Sequence, residues 1–127
     1  MSKDFDKWNK NKKDIHDHAE QKLFLQREIW WCSFGVNIGR EQDGGRNNFE
    51  RPIVIVKKLS PDTLIAIPLS TKKRMARFQA TVTFGTLVNY GLLDQVRVID
   101  SKRLLRKIGM VKDLEFEEIK RKLIGLI

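Results

Sequence analysis

From Glu28 onward the apolar residues fall in short blocks separated by turn-forming residues. Glu28-Ile-Trp-Trp-Cys-Ser-Phe34 and Pro52-Ile-Val-Ile-Val56 are rich in β-branched and aromatic residues and short enough to be strands. The second block, Pro52 to Lys57, is followed by Thr63 to Leu69, with a turn through Lys58-Leu-Ser-Pro61-Asp62 that places proline favourably. Phe78 to Phe84 alternates as a half-buried strand does, with Phe78, Ala80, Val82 and Phe84 on one face and Gln79, Thr81 and Thr83 on the other. Asn89-Tyr90-Gly91 reads as a turn, Leu92 to Ile99 as a further strand and Ile108-Gly-Met-Val111 as a short one, with room for a helical turn between Ser101 and Lys107.

The period then changes. Phe116, Ile119, Leu123 and Leu126 form one stripe of a helix, Asp113 is its expected N-cap, and acids precede bases along it, as the helix dipole favours. At the other end, Phe5, Trp8, Ile15, Ala19 and Leu23 recur at roughly helical spacing among polar residues. The expected organisation is an N-terminal helical appendage over residues 1–26 and one domain over 27–127. The expected fold is mainly β (α+β): an SH3-like small barrel of antiparallel strands, a packed C-terminal helix and an extra N-terminal helix.

Gly39 to Pro52 fits neither period. Three glycines, two asparagines and a proline make it a turn-rich, charged hairpin tip between two core strands, and loops on rigid scaffolds often carry chemistry. Trp30-Trp31 puts one large ring on each side of a strand, so both faces are covered or one ring is a contact surface.

The chain of 127 residues carries a net charge of +9, which suits a nucleic acid, an anionic surface or an acidic protein segment. No apolar run reaches the roughly 20 residues that cross a bilayer, and Met1-Ser-Lys-Asp-Phe-Asp-Lys has no apolar signal core. The single cysteine, Cys32, lies inside an apolar run. With no histidine nearby in sequence it reads as a buried small hydrophobe, and a reducing cytoplasm is the expected location.

The expected chemistry uses no metal or other cofactor: the chain shows no Cys/His cluster, acidic metal loop or phosphate-cradling glycine motif. His16 and His18, two apart, fall on different helix faces and read as solvated side chains. What remains is a set of polar groups at strand ends. Arg51 precedes Pro52 and could hold a phosphate with its guanidinium fork, or pair with Glu41 or Glu50. Ser70 and Thr71 could donate to a phosphate oxygen or cap a turn. Glu41 and Asp94 could take a proton or bind loop amides. Lys72, Lys73, Arg74 and Arg77 offer a basic track or a plain solvated loop, and Phe34, Phe49 or Trp31 could stack a base but read first as core.

Glu28-Ile-Trp-Trp, Gly39-x-Glu41-Gln42, Arg51-Pro52, Pro68-Leu-Ser70-Thr71, Leu93-Asp94-Gln95-Val96-Arg97-Val98-Ile99-Asp100 and Ser101-Lys102-Arg103-Leu104 occur in this order. Together they resemble the MazF/PemK toxins of bacterial toxin–antitoxin systems, over residues 28 to 127. The resemblance implies the same small-barrel fold and a metal-independent endoribonuclease that cuts single-stranded RNA at short sequences. It implies catalytic positions at Arg51 and Ser70 with Thr71 adjacent, and in some members at Glu41 and Asp94. Gln42, Lys72, Lys73, Arg74, Arg77, Gln95 and Arg97 are the expected RNA-binding residues. The expected mechanism is attack of the RNA 2′-hydroxyl on the neighbouring phosphorus.

The resemblance further implies a homodimer and a cognate antitoxin whose disordered acidic tail wraps the toxin. Two departures stand out: a longer segment between Glu41-Gln42 and Arg51-Pro52, and Leu92 where one branch has a catalytic arginine. The alternative is a non-catalytic protein of the same fold that binds an antitoxin or a protein target such as DNA gyrase.

Overall fold

The computed structural model describes residues 22–33 and 50–127. Its strands are β1 Glu28–Ser33, β2 Glu50–Ser60, β3 Thr63–Ser70, β4 Gln79–Phe84, β5 Leu87–Leu92, β6 Arg97–Asp100 and β7 Leu104–Met110, followed by helix α1, Asp113–Gly125. Short 3-10 turns at Ala76–Phe78, Leu93–Gln95 and Ser101–Arg103 join several of them. The pairings are antiparallel, in the order β4-β5-β3-β2-β1-β7, with β6 beside β3. Most of the expected 1–26 helix and of the Gly39–Pro52 tip lies outside the described residues; of the parts described, residues 22–26 are not helical and Glu50 to Pro52 already belong to β2.

Strand β3 organises the sheet. It pairs with β2 on one side, while on the other its first residues, Thr63 to Ala66, pair with β6 and its last, Leu69 and Ser70, pair with β5. Among the described residues no ladder links β6 to β7, so the sheet is open where a closed barrel is expected. The reason is local: β6 has only four residues, and Asp100 Oδ1 then accepts the Lys102 N–H at 2.8 Å and turns the chain.

Strand alternation divides the apolar residues between two cores. On one face Ile29, Val54, Ile67, Leu69, Ala80, Val82 and Leu93 pack under Phe116 and Ile119 of α1. On the other Trp30, Cys32, Ile53, Ile55, Leu64 and Ala66 pack with Ile99 and Leu104, and Phe24, ahead of β1, fills the same layer. The stripe on α1 is shorter than expected: Phe116 and Ile119 are buried and Leu123 packs at the edge, but Leu126 lies beyond the helix and is exposed. Asp113 is not the N-cap. Lys112 holds that place, and the Asp113 carboxylate pairs with Arg27 at 2.8 Å. Arg27, at φ 78°, gives its backbone N–H to the Ile55 carbonyl, accepts the Val111 N–H and donates from Nε to the Val111 carbonyl, tying the start of β1 to the entry of α1.

Two expected boundaries move. The hairpin turn falls at Gly85-Thr86, where Gly85 takes φ +62°, a conformation that costs glycine little. Asn89-Tyr90-Gly91 lies within β5, opposite Val82, Thr81 and Ala80. Gly91 marks a close approach there, since a Cβ would stand 2.6 Å from Ile67 Cδ1. The expected Leu92–Ile99 strand is two elements: fully buried Leu93 anchors a 3-10 turn, and extended pairing resumes at Arg97.

Candidate functional site

The β2–β3 register runs Val54↔Ile67 and Ile53↔Pro68 toward the end of the sheet. Carried two residues further, it sets Arg51 beside Ser70. Alternation puts both on the face of Ile53 and Ile55, with Arg51 directly across from Cys32 of β1. Neither Pro52 nor Pro68 can give a backbone N–H at this end of the ladder. The Arg51 guanidinium supplies a donor instead, from Nη2 to the Leu69 carbonyl at 2.6 Å. That bond uses one of its five N–H groups. The residue is 7% exposed and Ser70 8%, so a cation and a hydroxyl stand together at the rim of an apolar face.

Of the two readings of Ser70, the turn cap is the one observed. Its Oγ accepts the Lys72 N–H at 3.1 Å and caps the turn that ends β3, while its own hydroxyl proton is still available to a ligand oxygen. Across the β3–β5 pair it faces Tyr90. Thr71, the next residue, is exposed, as are Lys72, Lys73, Arg74 and Arg77 on the following loop. Asp94 is exposed and Gln95 half-buried on the turn that follows β5, and Arg97 opens β6 opposite Ala66. Glu41 and Gln42 lie outside the described residues. The ion pair that Glu50 makes is a loose one with Arg106, 3.9 Å.

The aromatic pair divides as the strand requires. Trp30 is buried and gives its Nε1–H to Glu28 Oε1 at 3.0 Å, while Trp31 is half-buried with the Arg106 guanidinium 5.3 Å from its ring. Burial pushes the Glu28 carboxyl up. Hydrogen bonds from Trp30 and the Leu25 amide, with the Lys107 ammonium at 3.1 Å, outweigh it and leave the group below its ordinary 4.5. Burial raises the Cys32 thiol to about 12 against the pull of Arg103 and Arg97, which fits a small core residue better than a nucleophile.

Two residues join this region without a sequence signal that singled them out. Arg103 donates from Nη1 to the Ser33 carbonyl at 3.1 Å; its guanidinium is held below its usual range first by burial, and the Arg97 charge adds to this. Gln79, expected on the polar face of β4 with Thr81 and Thr83, is only 4% exposed. Its amide bonds into the basic loop, to the Arg74 N–H at 2.7 Å and the Lys72 carbonyl at 3.0 Å. The pattern missed it because the loop folds back over the first residue of the strand. Among the described residues no three His, Cys, Asp or Glu side chains converge as metal ligands, and no helix is long and apolar enough to cross a membrane.

A small open antiparallel sheet with one covering helix, and a buried arginine beside a serine at its rim, describes a small α+β protein with a candidate site at one sheet end. The chain belongs to the PemK-like, MazF-like toxin family of type II toxin–antitoxin systems, whose profile matches residues 25–127. Solved structures share the fold at low identity. MazF from Deinococcus radiodurans superposes with a TM-score of 0.65 at 21% identity, over 83% of this chain and 96% of that one. The MazE–MazF complex from the same organism gives 0.60 at 20%, over 83% and 96%. An endoribonuclease from a mycobacterial species gives 0.60 at 16%, over 86% and 93%. No curated protein matches the chain in sequence.

Proposed function

We propose that the protein is a toxin that cleaves single-stranded RNA, and mRNA in the cell, at specific short sequences. The observation that carries this reading is the placement of Arg51 against Leu69 and Ser70, a guanidinium fork next to a hydroxyl. Family membership and the endoribonuclease among its structural neighbours support it. The RNA's own 2′-hydroxyl attacks the adjacent phosphorus, the bond to the 5′ oxygen breaks, that oxygen takes a proton from solvent, and a cyclic phosphate and a 5′-hydroxyl remain. Arg51 stabilises the charge that builds on the phosphorane, and Ser70 with Thr71 positions a phosphate oxygen. Glu41 is the first choice to take the 2′ proton and Asp94 the second.

Gln42, Gln95, Arg97 and the Lys72–Arg77 loop bind the flanking chain, and the reaction needs no metal. The SH3-like reading of the curled sheet, the 1–26 appendage, a homodimer and a cytoplasmic location belong to the same proposal. A cognate antitoxin with an acidic disordered tail suits the charge of +9, and antitoxin-bound neighbours support such a partner.

The test is incubation of purified protein with long single-stranded RNA in EDTA, beside the all-DNA analogue. Discrete cuts in RNA with intact DNA are expected. Intact RNA, or equal cutting of both, removes the transesterification reading.

A further inference from the structure

Between Ser70 and β4 the chain carries four exposed cations, Lys72, Lys73, Arg74 and Arg77, within six residues. Like charges this close repel one another. None of the four has an acid in ion-pair range among the described residues. Such a loop would ordinarily spread over many conformations, yet its backbone is tied down by side chains from outside it. Ser70 Oγ accepts the Lys72 N–H. Gln79 uses both ends of its buried amide, Oε1 accepting from the Arg74 N–H and Nε2 donating to the Lys72 carbonyl. Lys122 of α1 donates from Nζ to the carbonyls of Ala76 and Gln79 at 3.0 and 2.8 Å.

The result is a run of positive charge fixed in place without neutralisation, starting two residues beyond Ser70 of the Arg51–Ser70 pair. A surface of this kind is preorganised for a chain of phosphates. The ordering is done before binding, and counterions rather than protein acids balance the charge. We propose that Gln79 is a positioning residue for the RNA track: it holds the Lys72–Arg74 backbone so that the loop's cations meet successive phosphates of the strand entering the site. The amide suits the task, since a carboxylate could not donate to the Lys72 carbonyl and a shorter amide could not span Lys72 and Arg74. The proposal rests on the ribonuclease reading but concerns groups that need not touch the scissile phosphate.

The experiment compares wild type with Gln79→Met, which keeps the bulk and loses both hydrogen bonds. Lys73→Ala and the double variant complete a cycle, each checked for folding by thermal melt and assayed well below its midpoint. Binding is read by fluorescence anisotropy with a labelled single-stranded RNA of mixed sequence whose 2′-hydroxyls are methylated, across a salt series, and cleavage is read on unmodified RNA. The expected result is an affinity loss of roughly tenfold in Gln79→Met, with the salt slope shallower by about 1. KM should rise far more than kcat falls. Lys73→Ala should cost much less in the Gln79→Met background than in wild type, the coupling that a shared role requires.

A folded Gln79→Met protein with wild-type affinity and slope overturns the proposal and leaves the nuclease reading standing, as does strict additivity in the cycle. Wild type that neither binds nor cuts RNA overturns the nuclease reading and the track together.

Discussion

On the α1 side of the sheet, Ile29, Val54, Ile67 and Leu69 meet Phe116 and Ile119, and apolar packing continues to the strand ends through Ala80 and Val82. On the opposite side, Trp30, Cys32, Ile53 and Ile55 begin a core of the same kind, but the strands carry it into Arg51 and Ser70. Strands β1, β2 and β3 contribute to both faces. One face is finished with a helix and the other with a cation and a hydroxyl, each more than nine-tenths buried. Burying a charge that close to an apolar layer works against stability unless its donors are satisfied, and Arg51 meets part of that requirement through the Leu69 carbonyl. A protein under selection for stability alone would finish both faces alike. The difference makes the helix side the place to test stability and the rim the place to test the proposed function.

The sharpest way to separate the faces is to damage each and ask which property moves. Phe116→Ala opens a cavity under α1 and should cost about 3–5 kcal/mol of stability. Chemical denaturation measures this, and cleavage per folded molecule at low temperature should stay near wild type. Arg51→Ala should do the reverse, slowing kcat about 10²–10³-fold, or roughly 2.7–4 kcal/mol of barrier. Its stability cost should be smaller, about 1–3 kcal/mol for the Leu69 carbonyl left without its donor. Arg51→Lys tests the fork itself. A lysine keeps the charge but not the two-pronged geometry, so kcat should recover only in part. A folded Arg51→Ala protein that cuts RNA at the wild-type rate would dissolve the distinction between the faces.

Ser70→Ala should show a smaller effect spread over both properties, because the hydroxyl serves both. Losing the Lys72 N–H acceptor frees the start of the basic loop and should cost about 1 kcal/mol of stability. Losing the donor should slow cleavage beyond what that destabilisation explains. The comparison is a denaturation midpoint set beside kcat at saturating RNA. Unchanged kcat with a lowered midpoint would return Ser70 to turn capping alone.

How much of this was legible in the sequence follows from what each residue's neighbours are. The strands were readable where alternation or β-branched runs report burial directly, as in Pro52 to Lys57 and Phe78 to Phe84. Arg51 and Ser70 stood out as polar residues at the ends of apolar runs, and the register brings them together. The open seam between β6 and β7 was not legible, because it depends on a four-residue strand and an Asp100 turn. Glycine misled once: Gly91 signals a turn in sequence, whereas its lack of a Cβ makes room for Ile67 inside a strand. Gln79 lies on the face expected of it but is buried there, because alternation describes a strand against solvent and here a loop returns over the strand's first residue. Arg103 fell within a family-like motif but had no signal for its role, since its partner, the Ser33 carbonyl, is seventy residues away.

On the rim face two β1 groups, Glu28 and Cys32, shift in directions that bear on stability against pH. The carboxyls of exposed Asp62 and half-buried Glu118 are also held low, by hydrogen bonds from Ser60 and Arg121. Glu28 is held below 4.5 in the folded state by Trp30, Leu25 and Lys107 against the opposing effect of burial. Its contribution to stability is therefore present above about 4.5 and is lost as pH falls through the folded value. Cys32 is raised by burial from 9.0 to about 12, so the folded state favours the neutral thiol. That contribution is complete below about 9 and is lost as pH rises toward 12. Denaturation midpoints across pH should form a plateau with an acid and an alkaline shoulder. Glu28→Gln should flatten the acid shoulder and Cys32→Ala the alkaline one, each by less than the effects above. The α1 core, whose buried members Phe116, Ile119, Val54 and Ile67 do not titrate, should contribute to neither shoulder. If Phe116→Ala moved a shoulder along the pH axis, in addition to lowering the plateau, the assignment of pH sensitivity to the rim face would be wrong.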